Sequence, residues 1–155
     1  MTSGIRIVGP RPGSSEVCEA ILRALPQWFG IEQAIIDYGR EVAELPAFTA
    51  FDGKREVGFL SIKEHFPEAA EIHVMGVRPE CRGRGVGMAL VKEAEDWLRG
   101  RGFRLLQVKT LSASRPDPHY AETRAFYKKA GFIPLEEMPK LWSEANPCLI
   151  SVKSL

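Results

Sequence analysis

The sequence has few cysteines and histidines and almost no net charge, and each shortage argues against a class of protein. Its 3 cysteines and 3 histidines share no metal-ligand spacing, which argues against a zinc site or a disulfide framework. Lysine plus arginine total 21 and aspartate plus glutamate total 20, a net charge of +1. That balance gives no electrostatic reason to expect a nucleic-acid or membrane partner.

Long apolar runs are also missing. No run approaches membrane-spanning length, and Met1–Ser15 lacks the apolar core of a secretory signal. We therefore expect a cytoplasmic protein with no bound metal and with buried or incidental thiols. The 155 residues have the length of one ordinary domain, and neither a repeat nor a long linker divides them. We expect a single domain over residues 1–155.

Apolar residues recur at strand spacing in some segments and at helix spacing in others, which predicts an α/β sheet of mixed direction. The predicted strands are Ile5–Val8, Pro46–Phe51, Val57–Lys63, Glu71–Val77, Phe103–Lys109, a strand beginning at Phe132–Leu135, and Cys148–Val152, which closes the sheet. Four helices are predicted. The first is capped by Ser14 and Ser15 and runs through Leu25, the second is Ile31–Glu44, the third begins at Val86 and ends at Gly100 or Gly102, and the fourth is His119–Ala130. His65–Glu68 is expected to be a loop.

The segment Val77–Gly87 joins a predicted strand to a predicted helix through a loop of arginines and glycines. A helix N-terminus exposes backbone amides that the helix cannot satisfy, and it is the positive end of the helix dipole. Glycines allow a ligand to approach such a backbone closely. The segment therefore predicts a site for a phosphate or pyrophosphate.

The spacing of this loop differs from two common nucleotide loops. A P-loop needs Gly-Lys followed by Ser or Thr, which is missing, and a dinucleotide loop needs a third glycine where Met88 stands. The pattern Arg82-x-x-Gly85-x-Gly87 resembles the coenzyme-A pyrophosphate loop of the GNAT superfamily of acyl-CoA N-acyltransferases. A second segment, Tyr127-Lys-Lys-Ala-Gly-Phe132, resembles the end of a later helix in that family.

The resemblance implies a GNAT-like fold. This is a mixed central sheet of six to seven strands with about four helices, in which two central parallel strands splay apart around acetyl-CoA. Here those strands are Glu71–Val77 and Phe103–Lys109. Gly76 is consistent with a bulge at the point of splaying.

The resemblance also implies which residues bind the co-substrate acetyl-CoA. The backbone of Met75 and Val77 is expected to pair with the pantetheine arm. The pyrophosphate is expected to lie in the loop, whose residues are Arg82, Gly83, Arg84, Gly85, Val86 and Gly87. Many relatives carry an asparagine seven residues before the tyrosine. This chain has Tyr120 there, which puts one pantetheine contact in doubt.

Acyl transfer needs a group that protonates the leaving thiolate and a group that accepts the proton of the amine. Tyr127 matches the family's acid, and its alternative role is a core aromatic. The base is Glu71, His73 or water. Strand alternation predicts that Glu71, His73 and Met75 share one face. The alternative to a catalytic role for Glu71 is a solvated side chain at the end of the strand.

The acceptor is expected to be a small-molecule amine or a peptide, and the sequence does not choose between them. Trp28 and Phe29 are expected to line its site or to anchor the core. Homodimers are common in the family, and Trp142 is a candidate interface residue. Two other functions stay open. The first is a non-catalytic acyl-CoA-binding sensor of the same fold, and the second is a nucleic-acid module that uses the Arg-Gly loop.

Overall fold

Seven strands form one mixed sheet in the computed structural model, which describes residues 4–155. The strands are β1 Ile5–Arg11, β2 Ala47–Asp52, β3 Arg55–Phe66, β4 Ala69–Val77, β5 Leu105–Leu111, β6 Ile133–Ser143 and β7 Asn146–Ser154, in the order β1-β2-β3-β4-β5-β7-β6. The helices are α1 Ser15–Arg23, α2 Glu32–Val42, α3 Val86–Gly100 and α4 Pro118–Lys129, with a 3-10 turn at Pro79–Cys81. The predicted mixed sheet of six to seven strands with about four helices is thus confirmed.

The two central strands β4 and β5 run parallel but pair over only part of their length. Their register extends from Ala69 opposite Leu105 to Ile72 opposite Val108. Beyond that point β4 continues to Val77 and β5 to Leu111 without pairing to each other. The predicted splay is therefore confirmed, and it leaves backbone groups of both strands facing a gap.

Two apolar clusters cover the two faces of the sheet. The larger cluster packs α3 and the end of α4 against the sheet, with Leu90, Leu98 and Phe132 among its buried members. The smaller cluster packs α1 and α2 against Phe59 and Val74. All three cysteines are buried free thiols, as predicted.

A β-bulge in β4 changes which side chains share a face. Ser61 of β3 pairs with Val74, and the next residue pairs with Ile72, so His73 is the extra residue. The alternation therefore slips by one. Met75 packs with the larger cluster on the α3 face, whereas Val74 belongs to the cluster under α1 and α2. The prediction that Met75 shares a face with Glu71 and His73 was wrong for this reason.

The bulge lies at His73, three residues before Gly76, the position that the sequence analysis considered for it. Gly76 itself pairs regularly with Phe59. A Cβ at Gly76 would come within 3.0 Å of the Leu25 side chain and 3.1 Å of the Ile21 side chain. Gly76 therefore allows α1 and the residues that follow it to pack closely on the sheet.

Two predictions about the strands were wrong. β3 continues through His65 and Phe66, because its partner β4 also begins earlier than expected and the two strands form a long hairpin. The segment at Cys148 does not close the sheet. It lies in β7, which pairs with β5 on one side and β6 on the other, so β6 is the edge strand.

Candidate active site

A cavity of about 740 Å³ fills the gap between the splayed strands. It extends from the loop before α3 along β4, and Glu71 of β4, Lys109 of β5 and Tyr127 of α4 all line it. The separation of β4 from β5 creates this space, since paired strands would lie only about 4.8 Å apart.

One end of the cavity is formed by the N-terminus of α3. Gly85 is the N-cap residue and has a left-handed backbone with φ of 78°, and no side chain caps the helix. The first helical hydrogen bond is donated by Ala89 to the Gly85 carbonyl at 3.0 Å, so the amides of 86–88 have no helical acceptor. The first turn also carries no acidic residue. These features make the corner suitable for an anion.

The glycines of the loop have different roles at this corner. Gly83 has a positive φ of 76°, and a Cβ there would meet no atom within 4 Å. A Cβ on Gly87 would come within 3.0 Å of the Phe126 ring. Gly87 therefore lets α3 approach α4, whereas Gly83 leaves the loop surface free.

The two loop arginines already have acidic partners. Arg82 is 2.9 Å from Glu122 of α4, and its guanidinium lies 4.3 Å from the ring centre of Trp28. Arg84 is 2.9 Å from Asp52 of β2, and this hydrogen-bonded carboxylate raises the pKa of Arg84 above its ordinary value. Among the loop residues, the cavity is lined by Arg82, Gly83 and 85–87. Arg84 does not line it.

Tyr127 lies both in the core and on the cavity wall. It is 7% exposed, and it packs edge-to-face against Phe126 and Phe132. Burial raises the pKa of Tyr127 well above its ordinary value, so its hydroxyl stays protonated. No described residue forms a hydrogen bond with this hydroxyl, which can therefore bond to a ligand.

Glu71 is buried rather than solvated, being 5% exposed. Its Oε1 accepts from His65 Nε2 at 2.7 Å, from Lys109 Nζ at 3.2 Å and from Gln107 Nε2 at 3.4 Å. Within residues 4–155, nothing bonds to the other oxygen, Oε2. Glu71 thus has one oxygen engaged by the sheet and one free, on a side chain that lines the cavity.

His73 lies on the same side of the sheet as Glu71 but has different neighbours. Its Nε2 is 2.6 Å from Glu41 Oε2 of α2, and its ring packs against Tyr38 with centroids 5.8 Å apart. Burial raises the pKa of Tyr38, with a further contribution from the charge of Glu41. The ring of His73 is thus held by two side chains of α2.

Trp28 and Phe29 both line the cavity from the α1–α2 connection. Trp28 Nε1 donates to the His119 carbonyl at 3.1 Å and to Thr123 Oγ1 at 3.0 Å. Phe29 packs against Tyr38 with centroids 5.9 Å apart. Trp28 therefore attaches the α1–α2 connection to α4, and Phe29 extends the aromatic wall.

Tyr120 occupies the position where relatives carry an asparagine. It lines the cavity, and its hydroxyl donates to the Trp28 carbonyl at 3.2 Å. Burial raises the pKa of Tyr120 to about 12. The hydroxyl is thus engaged in holding α4 to the α1–α2 connection.

The polar residues of the site that the sequence did not indicate include Thr110, His65, Lys109 and Lys63. Thr110 of β5 lines the cavity, and its buried Oγ1 has no hydrogen-bond partner among residues 4–155. His65 and Lys109 contact Glu71, and Lys63 lines the cavity beside it. No motif marks these positions. They meet only because Lys63 is opposite Glu71 in the β3–β4 register and β5 is adjacent to β4.

Residues 4–155 lack two kinds of feature. No group of three or more His, Cys, Asp or Glu side chains is placed to hold a metal ion. No described helix is both long and apolar enough to cross a membrane.

A mixed sheet with splayed central strands and an uncapped helix N-terminus at the mouth of the gap defines the class of acyl-CoA N-acyltransferase folds. The model of the acetyltransferase (GNAT) family matches residues 15–132, and the chain belongs to that family. The resemblance of the two motifs is thus confirmed.

Mycothiol acetyltransferase of Corynebacterium glutamicum is a relative of part of the chain. The two are 35% identical over 86 residues, which cover 56% of this chain and 27% of that protein. The chain therefore spans well under half the length of this relative.

Solved structures resemble the chain over nearly its whole length. A GNAT-family protein from Desulfovibrio desulfuricans has a TM-score of 0.81 at 17% identity, over 97% of this chain and 98% of that one. A GNAT acetyltransferase from Elizabethkingia anophelis with acetyl-CoA bound has a TM-score of 0.73 at 15% identity, over 98% and 99% of the two chains. At these identities the likeness shows the fold.

Proposed function

We propose that this protein is an acetyl-CoA-dependent N-acetyltransferase in which an amine attacks the thioester directly within a ternary complex. The observation that carries the proposal is one continuous cavity. It connects the uncapped N-terminus of α3 with Glu71 and Tyr127 through the gap between β4 and β5.

The residues that line the cavity fit acetyl-CoA along its length. The free amides of 86–88 and the open surface at Gly83 suit a pyrophosphate. The unpaired edge of β4 around Met75 and Val77 suits the amide groups of a pantetheine arm, since a buried backbone group needs a partner. The unpartnered Thr110 hydroxyl lies on the opposite wall and suits a polar group of the same ligand.

Acetyl-CoA would supply an acyl group already activated as a thioester. Tyr127 would donate its proton to the departing thiolate, because burial keeps its hydroxyl protonated and no described residue forms a hydrogen bond with it. The strand edge would hold the thioester carbonyl near backbone amides, which stabilise a developing oxyanion.

Glu71 would accept the proton of the attacking amine, directly or through water. Its free Oε2 is available, while His65, Gln107 and Lys109 hold Oε1 in place. His73 is a weaker candidate for the base because Glu41 engages its Nε2 at 2.6 Å.

Titration of acetyl-CoA by calorimetry tests the binding half of the proposal. We expect binding to the native protein and none to a folded Arg82→Ala, Gly85→Glu double variant, which places a carboxylate at the anion corner. The matched control is Arg55→Ala, Gly53→Glu. Like Gly85, whose φ is 78°, Gly53 has a positive φ of 62°, but it lies in the β2–β3 turn. Equal binding by both double variants would contradict the proposed site.

Release of free thiol in the presence of amines tests the catalytic half. A broad panel of small amines, amino acids and peptides is expected to include at least one acceptor. Tight acetyl-CoA binding without thiol release across the whole panel would instead favour a non-catalytic acyl-CoA sensor.

A further inference from the structure

We propose that the acceptor end of the cavity binds an amine that also carries a carboxylate, on an apolar or aromatic body. This inference rests on the proposed acetyl transfer and identifies the acceptor class of that same site. The juxtaposition that carries it is a pair of lysines, Lys63 and Lys109, on either side of Glu71.

The position of the acceptor follows from the geometry of β4. From Val77 at the anion corner to Ile72, where β4 and β5 begin to pair, five residues span roughly 17 Å. An extended arm that follows the whole unpaired edge of β4 from the anion corner therefore ends near Ile72. The acceptor amine must reach that point, and the adjacent polar residue is Glu71.

The cationic groups around Glu71 outnumber the carboxylates. Lys63 stands opposite Glu71 in the β3–β4 register, and Lys109 contacts its Oε1. Lys63 forms no ion pair or hydrogen bond with any described residue. Lys109 donates one hydrogen bond to Glu71. Because an ammonium group has three donors, two remain for a ligand.

These two ammonium groups make an anion subsite beside the proposed base. Both Lys63 and Lys109 line the cavity, and Lys109 is 27% exposed at its side chain. A carboxylate bonded to them would hold its own amine close to Glu71 Oε2. The surrounding positive charge would also favour the neutral form of the amine, which is the form that attacks.

The rest of the acceptor end is aromatic. Trp28, Phe29 and Tyr38 line the cavity from the α1–α2 side, and all three are half-buried. Such a wall provides apolar contact area for the body of the acceptor. The other nearby carboxylate, Glu41, is engaged by His73. An acceptor with several positive charges would therefore find Lys63 and Lys109 rather than free carboxylates.

Three acceptors that differ at one group test the inference. Phenylalanine carries a carboxylate, phenylalaninamide replaces it with a neutral amide, and phenethylamine lacks it. Their kcat/KM values are measured with the native protein, with Lys63→Met and with the charge-matched control Lys54→Met, whose lysine lies in the β2–β3 turn. Amino acids with other apolar side chains are compared with their amides in the same way.

We expect the carboxylate-bearing acceptor to be preferred by about tenfold or more, and this preference to be lost in Lys63→Met but kept in Lys54→Met. The inference is overturned if the amide or phenethylamine is used equally well, if Lys63→Met keeps the preference, or if peptides or polycationic amines are the only acceptors.

A binding measurement separates this inference from the proposed function. Saturation-transfer NMR compares N-acetylphenylalanine and N-acetylphenethylamine on the CoA-saturated protein. Selective binding of the carboxylate, abolished by Lys63→Met, supports the subsite even if no transfer occurs. The absence of any selective binding overturns it even if transfer to other amines is observed.

Discussion

At the scale of single residues, Tyr127 is both a core aromatic and a wall of the cavity. Its ring contributes to the larger apolar cluster, and its hydroxyl has no partner among the described residues. Replacing that hydroxyl therefore tests chemistry, because the ring and its packing remain. The two roles considered from the sequence are compatible in one side chain.

We predict that Tyr127→Phe lowers kcat by about a hundredfold and changes the acetyl-CoA dissociation constant by less than about threefold, because general-acid catalysis typically contributes that much. The measurement pairs steady-state kinetics with calorimetry. Tyr120→Phe is the matched control on the same helix, and its hydroxyl bonds to the Trp28 carbonyl. Similar losses of kcat in both variants would remove Tyr127 as the acid.

At the scale of elements, the loop before α3 depends on a backbone that only glycine adopts readily. Gly83 and Gly85 have φ values of 76° and 78°. A left-handed conformation costs other residues about 1–2 kcal/mol. The loop therefore follows a backbone path that would be strained for other residues, and it has an open surface at Gly83.

We predict that Gly83→Ala and Gly53→Ala each lower the free energy of unfolding by about 1 kcal/mol, because both positions have positive φ and open surroundings. Only Gly83→Ala should weaken acetyl-CoA binding. Urea unfolding gives the stabilities and calorimetry gives the affinities. If Gly83→Ala bound acetyl-CoA like the native protein, the ligand would not approach this part of the loop.

The start of α4 depends on a charged cap. Asp117 accepts from the amides of Tyr120 and His119 through one oxygen, and these bonds lower the pKa of its carboxyl group, that from Tyr120 contributing most. Because the folded pKa lies below the unfolded one, the contribution to stability is complete above the unfolded pKa, about 3.9. It is lost as the pH falls through the folded pKa.

We predict that the stability difference between the native protein and Asp117→Asn shrinks as the pH falls from 6 to 3. Asparagine keeps an acceptor oxygen but does not titrate. The measurement is the urea midpoint of both proteins at each pH. A difference that stays constant over this range would show that the ionised form of Asp117 does not stabilise α4.

At the scale of the whole molecule, an ion pair between a partly exposed lysine and a buried carboxylate joins elements that are distant in sequence. Lys153 of β7 lies 2.7 Å from Glu95 Oε2 of α3, and its Nζ donates to the Ala130 carbonyl at the end of α4 at 2.6 Å. Glu95 is 6% exposed, and Arg99 lies 3.5 Å from it. One lysine therefore connects the sheet to both α3 and α4, the helices that border the cavity.

We predict that Lys153→Met lowers the free energy of unfolding by about 3 kcal/mol, because it leaves a buried carboxylate without its nearest cation. The double variant Lys153→Met, Glu95→Leu should recover most of the loss, since no uncompensated charge remains. Urea unfolding of both variants measures this. A double variant as unstable as the single one would show that packing around Lys153, rather than charge, is responsible.

Much of this protein was predictable from its sequence because the signals are local. The Arg-Gly loop, the helix after it and the tyrosine near the end of α4 are each specified within a few neighbouring residues. These segments predicted the family and the elements that border the cavity, and the resemblance to the family implied the splayed sheet. Glu71 and Tyr127 were candidates on the same grounds, and their catalytic roles are still predictions.

Only the tertiary structure shows which side chains the pairing of neighbouring strands brings together. The bulge at His73 is visible only when β3 and β4 are paired, because one extra residue on one strand changes the face of every later side chain. Lys63, His65 and Lys109 gather around Glu71 for the same reason, since pairing between strands places residues side by side that are distant in sequence. Local spacing determines which elements form, whereas long-range pairing determines which side chains meet in the cavity.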